Sequence, residues 1–318
     1  MPTITVLDGY TLNPGDLSWA PLHELGDCHI YDRTAEHESL DRSTDADIIL
    51  VNKHPITAEL LARLPKLRYI GVMATGYNNI DLEAARRQGI AVTNVAGYST
   101  PSVVQHVFAL LLELLNRTAD HHHSVQRGEW SAQADFSYTL QPIPELASLT
   151  LGIYGFGRIG QAVARVALAF GMQVLAHHKH PQRDAMEGVT FVDLAQLFSR
   201  SNVISLHAPL TAHNAKVVNA ARLTSMPHPA YLINTGRGGL VDEQALRHAL
   251  QTQQIQGAGL DVLSSEPPPA EHPLLGIDNC IITPHIAWAS VAARQRLLDE
   301  TVANIRAFLQ GQRRNRID

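Results

Sequence analysis

The stretch Leu151–Gly160, L-G-I-Y-G-F-G-R-I-G, constrains this chain more than any other. Leu151, Ile153 and Tyr154 have strand character. Gly155, Gly157 and Gly160 follow at G-x-G-x-x-G spacing, and Ile159, Val163, Val166 and Ala167 then recur at helical spacing. A strand that runs through three such glycines into a helix is the setting a dinucleotide fingerprint requires. Without that strand and helix, the glycines would mean only a tight turn. The pattern predicts the sharp turn at Gly155, approach of a pyrophosphate to the backbone at Gly157, and close helix–strand packing at Gly160. The free N–H groups and partial positive charge of the helix N-terminus would face the phosphates.

Around this centre the chain alternates strand and helix signals twice. In the first set, Ile4–Leu7, Asp47–Val51, Tyr69–Val72 and Ile90–Thr93 read as strands. Leu17–Leu25, Thr57–Leu64 and Asp81–Gln88 read as helices, with Thr57 and Asp81 as N-caps and Gly89 as a C-cap. The second set gives strands at Leu149–Tyr154, Gln173–His177, Val203–Leu206, Tyr231–Ile233, Gly257–Asp261 and Ile281–Thr283. Such alternation predicts two doubly wound parallel sheets of the Rossmann or flavodoxin-like kind. Between them, Thr100–Leu115 reads as a helix that is apolar nearly all round, buried either within one chain or against a second copy. The run His121-His122-His123 lacks metal-ligand spacing and reads as a solvated face. Ser290–Phe308 reads as one amphipathic helix, and Arg313–Asp318 as a loose polar tail.

Composition narrows the class. A chain of 318 residues suggests roughly two domains. A net charge of −5 without charge blocks argues against nucleic acid or an anionic membrane as partner. Cys28 and Cys280, without a C-x-x-C, suit a reducing compartment. The first residues lead straight into a strand rather than a signal peptide, and Val107–Leu115 is too short to span a bilayer. The expectation is a cytoplasmic protein.

Doubly wound sheets bind ligands at the carboxyl ends of their strands. There the sequence offers Arg237 in I-N-T-G-R-G-G-L-V-D, Glu266 in G-L-D-V-L-S-S-E-P-P, and His285 in I-I-T-P-H-I-A-W-A-S. An arginine can hold a carboxylate and polarise a carbonyl. A histidine can move a proton near neutral pH, and a carboxylate can orient its ring. Spacing leaves open whether the three converge.

These motifs, with G-F-G-R-I-G-Q-A-V-A-R and, earlier, G-Y-N-N-I-D and N-V-A-G-Y-S-T-P-S-V-V-Q-H, resemble the D-isomer-specific 2-hydroxyacid dehydrogenases over essentially the whole chain. Within that family the opening L-D-G-Y-T-L-N-P-G-D-L-S-W and the tryptophan of H-I-A-W-A-S are most similar to the glycerate dehydrogenases, or hydroxypyruvate reductases. The resemblance implies a discontinuous substrate domain, residues 1–98 plus 290–318, and an inserted dinucleotide domain, residues 99–289, that carries a homodimer helix. It implies hydride transfer between a nicotinamide cofactor and C2 of a small 2-oxo or 2-hydroxy acid. Arg237 would sit on the substrate, His285 would be the acid/base, and Glu266 would orient it. Ala74, Thr75, Gly76 and Trp288 would contact substrate. Arg158 and Ile159 would lie along the pyrophosphate, and Ala208, Pro209, Thr235, Gly236 and Asp261 along the rest of the cofactor. No metal is implied.

One position departs from the family, which ends the second cofactor strand with tyrosine–aspartate. Here His177 and His178 stand there, followed by Lys179; His178 is 18 residues past Gly160. Loss of the carboxylate that holds the ribose of NAD leaves NAD(H) or NADP(H) as the cofactor, with NADP(H) slightly favoured. Two other functions share the pattern: a sister enzyme for a different 2-oxo acid, and a dinucleotide-sensing, corepressor-like binding protein.

Overall fold

A computed structural model describes all residues from Met1 to Asp318. The chain forms two compact units, one made of Met1–Ser99 and Trp288–Asp318, the other of Thr100–Ala287.

The first unit begins with β1 (Thr3–Val6), α1 (Ala20–His23), β2 (Asp27–Ile30), α2 (Ser39–Ser43), β3 (Ile48–Val51) and α3 (Ala58–Ala62). It continues with β4 (Tyr69–Val72), α4 (Leu82–Arg87) and β5 (Ala91–Thr93). The strands are all parallel, in the order β2-β1-β3-β4-β5. Thr57 and Asp81 cap α3 and α4 through the N–H groups of Leu60 and Ala84, and Gly89 takes the left-handed conformation beyond α4. The helix expected over Leu17–Leu25 shrinks to Ala20–His23. Asn13 is the reason: its side chain takes the N–H groups of Gly15 and Leu17 and donates to the Leu17 carbonyl, fixing that stretch as a loop. The edge strand β2 was not foreseen, since D-C-H-I has no apolar run.

The second unit starts with α5 (Thr100–Asn116) and α6 (Thr118–Gln126). Then follow β6 (Thr150–Tyr154), α7 (Arg158–Ala169), β7 (Gln173–His177), β8 (Val189–Phe191), α8 (Leu194–Arg200) and β9 (Val203–Leu206). The rest is α9 (Ala220–Ser225), β10 (Tyr231–Asn234), α10 (Glu243–Gln251), β11 (Gly257–Leu260) and β12 (Cys280–Ile282). Its sheet runs β12-β11-β10-β9-β6-β7-β8, again all parallel. Six strands were expected; the seventh, β8, is a three-residue edge. The order reverses beside β6, so a ligand crevice opens at the carboxyl ends of β6 and β9.

α5 buries Val103, Val104, Val107, Phe108, Leu110, Leu111, Leu114 and Leu115 within its own unit. It lies directly on β11 because Gly257 and Gly259 leave room: a Cβ on either would stand 2.9 Å from Leu114 or Leu110. Burial inside one chain therefore accounts for most of the apolar surface of this helix. The large exposed apolar side chains of the unit concentrate in the excursion after α6, at Trp130, Phe136, Leu140 and Ile143. His121 fastens that excursion by accepting the Leu140 N–H at 3.1 Å.

The last helix, α11 (Val291–Leu309), belongs to the first unit, where Leu297, Leu298, Val302 and Ile305 are buried. Ser290 caps it, and Arg294 forks onto Asp16 with two bonds of 2.6 Å. The tail expected to be loose is not. Arg316 bridges to Thr93, Ile317 donates to the Val92 carbonyl, and Asp318 accepts the Val92 N–H. Burial raises the Asp318 carboxyl, but the Arg316 guanidinium and that N–H outweigh burial and bring it down to about 2. No helix is long and apolar enough to cross a membrane.

Candidate active site

The fingerprint turn has the shape its glycines predict. Gly155 sits at φ 96°, where side chains are strained, and a Cβ there would be 2.5 Å from the Ala208 nitrogen. Gly155 therefore seats the turn on Ala208-Pro209, at the end of β9. A Cβ on Gly160 would be 2.3 Å from the Gly155 carbonyl oxygen, so α7 lies directly against the turn. Gly157 is exposed, has open space around it and caps α7 without a side chain. An uncapped helix start behind an open glycine fits a pyrophosphate. Arg158 is exposed and Ile159 half-buried at the first positions of α7.

At the end of β7, the His178 ring is enclosed. Its Nδ1 accepts the Phe156 N–H at 3.3 Å, so the proton sits on Nε2, which donates to Asp184 at 2.7 Å. Arg183 binds the same carboxylate at 2.6 and 3.0 Å. The Arg183 guanidinium, then His178, hold Asp184 down at about 2. A carboxylate thus stands at the end of β7 after all, from six residues downstream of the position where the sequence lacks one. Lys179 is exposed beside it.

Three more polar groups gather at the strand ends. His207, after β9, shares a hydrogen with Ser205 Oγ at 2.8 Å, and burial pushes its imidazole down to about 4. Asn234, fully buried at the end of β10, accepts the Gly236 N–H and donates to the Arg237 carbonyl, which shapes the Thr235-Gly236-Arg237 loop. The Thr235 hydroxyl in that loop is buried without a partner.

Glu266 and His285 meet, and the loop that carries Arg237 packs against the loop that carries Glu266. Gly238 packs so closely on the Leu263–Ser264 peptide that a Cβ would stand 1.9 Å from the Leu263 carbonyl carbon. This seats the Arg237 loop against the loop carrying Glu266. Glu266 accepts the Leu263 N–H with Oε1 at 3.0 Å and the His285 Nδ1–H with Oε2 at 2.6 Å. The Glu266 and His285 side chains remain 37% and 29% exposed, and the Arg237 side chain is exposed. Ser264 is held by Glu243, which also meets the buried His272 at 3.2 Å. Nothing local to Glu243, an acid in the first turn of α10, marks that support.

Asp261, expected along the cofactor path, is 1% exposed; its carboxylate accepts the N–H groups of Ile286 and Ala287, each at 2.8 Å. The remaining candidates lie in the first unit. The Ala74-Thr75-Gly76 loop follows β4 and is held through its carbonyls and hydroxyl: Val95 donates to Ala74 O, Asn94 to Thr75 O, and Thr75 Oγ1 to Val95 O. Asp8, just past β1, gathers the N–H groups of Asn52, Lys53 and His54 after β3. Trp288 packs edge-on against Tyr98, with ring centroids 6.3 Å apart.

Residues 108–287 match the family described as D-isomer specific 2-hydroxyacid dehydrogenase, NAD binding domain. The chain is 44% identical to the hydroxypyruvate reductase of Blautia hydrogenotrophica over 313 residues, covering 97% of each. It is 42% identical to the glycerate dehydrogenase of Methylorubrum extorquens, covering 88% of each. Among solved structures it resembles the acyclic imino acid reductase Bsp5 in complex with NADPH and D-Arg, with a TM-score of 0.87, 33% identity, and coverage of 99% of this chain and all of the other.

Proposed function

This chain belongs to the D-isomer-specific 2-hydroxyacid dehydrogenase family, and we propose that within it the enzyme interconverts hydroxypyruvate and D-glycerate, with glyoxylate as a side substrate. The observation that carries this reading is the 2.6 Å bond between Glu266 and His285 beside the Arg237 loop. The names of the two curated relatives support the choice of substrate.

The nicotinamide supplies or accepts the hydride at C2 of the substrate when bound. Glu266 takes the Nδ1–H of His285, which leaves Nε2 as the nitrogen that exchanges a proton with the substrate. In reduction it gives that proton to the C2 oxygen; in oxidation it removes it. Glu266 also balances the imidazolium between turnovers. Arg237 presents a planar fork to the substrate carboxylate and polarises the C2 oxygen; Ala74, Thr75, Gly76 and Trp288 are proposed as substrate contacts on the family resemblance alone.

Gly155, Gly157, Arg158, Ile159 and Gly160 would hold the pyrophosphate. Ala208, Pro209, Thr235, Gly236 and Asp261 line the rest, the orphaned Thr235 hydroxyl being available to the cofactor. His178 and Lys179 would stand at the adenosine ribose. Both NAD(H) and NADP(H) are accepted, with Lys179 favouring a 2′-phosphate and Asp184 opposing it. The exposed Trp130–Ile143 excursion supports a homodimer, and two free cysteines support a reducing, cytoplasmic setting.

The test is initial-rate kinetics on a panel of 2-oxo acids with NADH and NADPH, in the parent and in Arg237→Lys. Highest kcat/KM on hydroxypyruvate, and a loss of about 10–10²-fold in the lysine variant, are expected. A bulkier 2-oxo acid as best substrate points to a sister enzyme. Cofactor binding without turnover points to a binding protein.

A further inference from the structure

The backbone of His285 lies in the left-handed region, at φ 55°. For a residue with a side chain that conformation is strained and persists only where neighbours over-determine it. The neighbours are one buried carboxylate and two groups behind it. Asp261, just past β11, takes the Ile286 N–H on Oδ1 and the Ala287 N–H on Oδ2, clamping the two peptides that follow His285. Thr283, two residues before His285, donates its hydroxyl to the same Oδ1 at 2.6 Å. Its carbonyl accepts the His285 N–H at 2.9 Å.

His106 closes the set from α5. Its Nε2 lies 2.9 Å from Thr283 Oγ1 and 3.4 Å from Asp261 Oδ1. Because the Thr283 hydroxyl donates to Asp261, it accepts from His106, so His106 carries its proton on Nε2. The chain of donors is His106 to Thr283 to Asp261. Burial pushes the Asp261 carboxyl up, but these donors and the two backbone N–H groups outweigh burial and hold it below the ordinary range. The titratable groups in contact with the segment are Asp261 and His106 on one side and Glu266 on the other.

We propose that His106 is a positioning residue for His285: through Thr283 and Asp261 it locks the 283–287 segment in the one conformation that aims His285 Nδ1 at Glu266. The proposal rests on the reading of His285 as the acid/base. Without the His106 donor the clamp relaxes, the strained φ reverts, and the ring leaves Glu266.

The decisive measurement needs no substrate. Ring-nitrogen 15N shifts report which nitrogen of a histidine bears the proton, and His285 is assigned by its disappearance in His285→Ala. In the parent the neutral ring is held with its proton on Nδ1. His106→Leu is expected to return His285 to the Nε2–H form favoured by an unrestrained ring. It should also lower kcat by about 10–10²-fold while leaving the KM for cofactor unchanged, as expected for a misplaced catalytic group. His106→Gln, whose amide nitrogen reaches the place of Nε2, should keep the parental tautomer and restore most of kcat.

A folded His106→Leu protein with parental tautomer and kcat overturns the proposal. If that variant fails to fold, Thr283→Val removes the relay hydroxyl and leaves the backbone clamp; a parental 15N signature there overturns the proposal as well. Parental turnover in His285→Ala would refute the acid/base reading instead, and the tautomer comparison would still decide whether His106 sets the ring.

Discussion

Gly160→Ala is the sharpest probe of the cofactor turn. The added methyl would start 2.3 Å from the Gly155 carbonyl oxygen and 3.1 Å from Ile153 Cγ2, where ordinary contact begins at 3.4 Å. A backbone oxygen has no rotamer to escape into, so α7 must back away from the turn by about 1 Å. A hydrogen bond of about 2.9 Å between a phosphate oxygen and a first-turn N–H then stretches to about 3.9 Å and is lost. Each such charge-assisted bond contributes roughly 1.5–3 kcal/mol, so losing one weakens dinucleotide binding about 10- to 150-fold. The same overpacking should destabilise the unit by about 1–3 kcal/mol and lower its melting temperature by several degrees. Fluorescence titration with NADH and calorimetry read the two effects. Gly157→Ala is the control: its methyl meets nothing within 4 Å, so melting should stay parental while binding falls, because the open space is where the ligand goes. A folded Gly160→Ala protein that binds NADH within about twofold of the parent would refute the argument, since 2 kcal/mol corresponds to roughly 30-fold.

Other outcomes follow from the same geometry. His207, held down at about 4 when folded, takes its proton near 6.5 when unfolded, so it erodes stability as pH falls from about 6.5 to about 4. His207→Gln should remove roughly 2–3 kcal/mol of that acid loss; urea melts at pH 7.5 and 4.5 showing the same difference in both proteins would contradict it. Asp184→Asn should raise the NADPH-to-NADH ratio of kcat/KM and Lys179→Ala should lower it; unchanged ratios in both variants would remove the loop from cofactor choice. Light scattering should give about twice the chain mass of 34.8 kDa, and Phe136→Asp should halve it, since that ring is 90% exposed. A single-chain mass for the parent would rule out the dimer.

The sequence announced what is local. The β6–α7 turn, the caps at Thr57 and Asp81, and the central strands each depend on residues within a few positions of one another. Two of the four edge strands were lost: β2 and β8 are short, polar or half-exposed, and lack the apolar run that marks a strand buried on both faces. Pairs far apart in the chain were invisible too. His106 and Thr283 are 177 residues apart, and Asp318 reaches Val92 across 226. At the site, the glycine motif and the three polar residues could be read. Asp184, Glu243 and His106 could not, because each acts through a loop or hydroxyl whose path only the fold defines. The apolar Thr100–Leu115 stretch allowed two explanations, and most of its leucines turn out to be buried by the sheet beneath it.

The first unit is written in two pieces, and its sheet is laced shut by residues 316–318 against Val92 and Thr93. During synthesis the inserted unit, Thr100–Ala287, leaves the ribosome whole while its neighbour still lacks α11 and the closing tail. Domains tend to fold as units while the chain emerges, so the order of folding here runs opposite to the order of writing. The segment made first must wait, with Leu12, Leu22 and Tyr69 uncovered, for the segment made last.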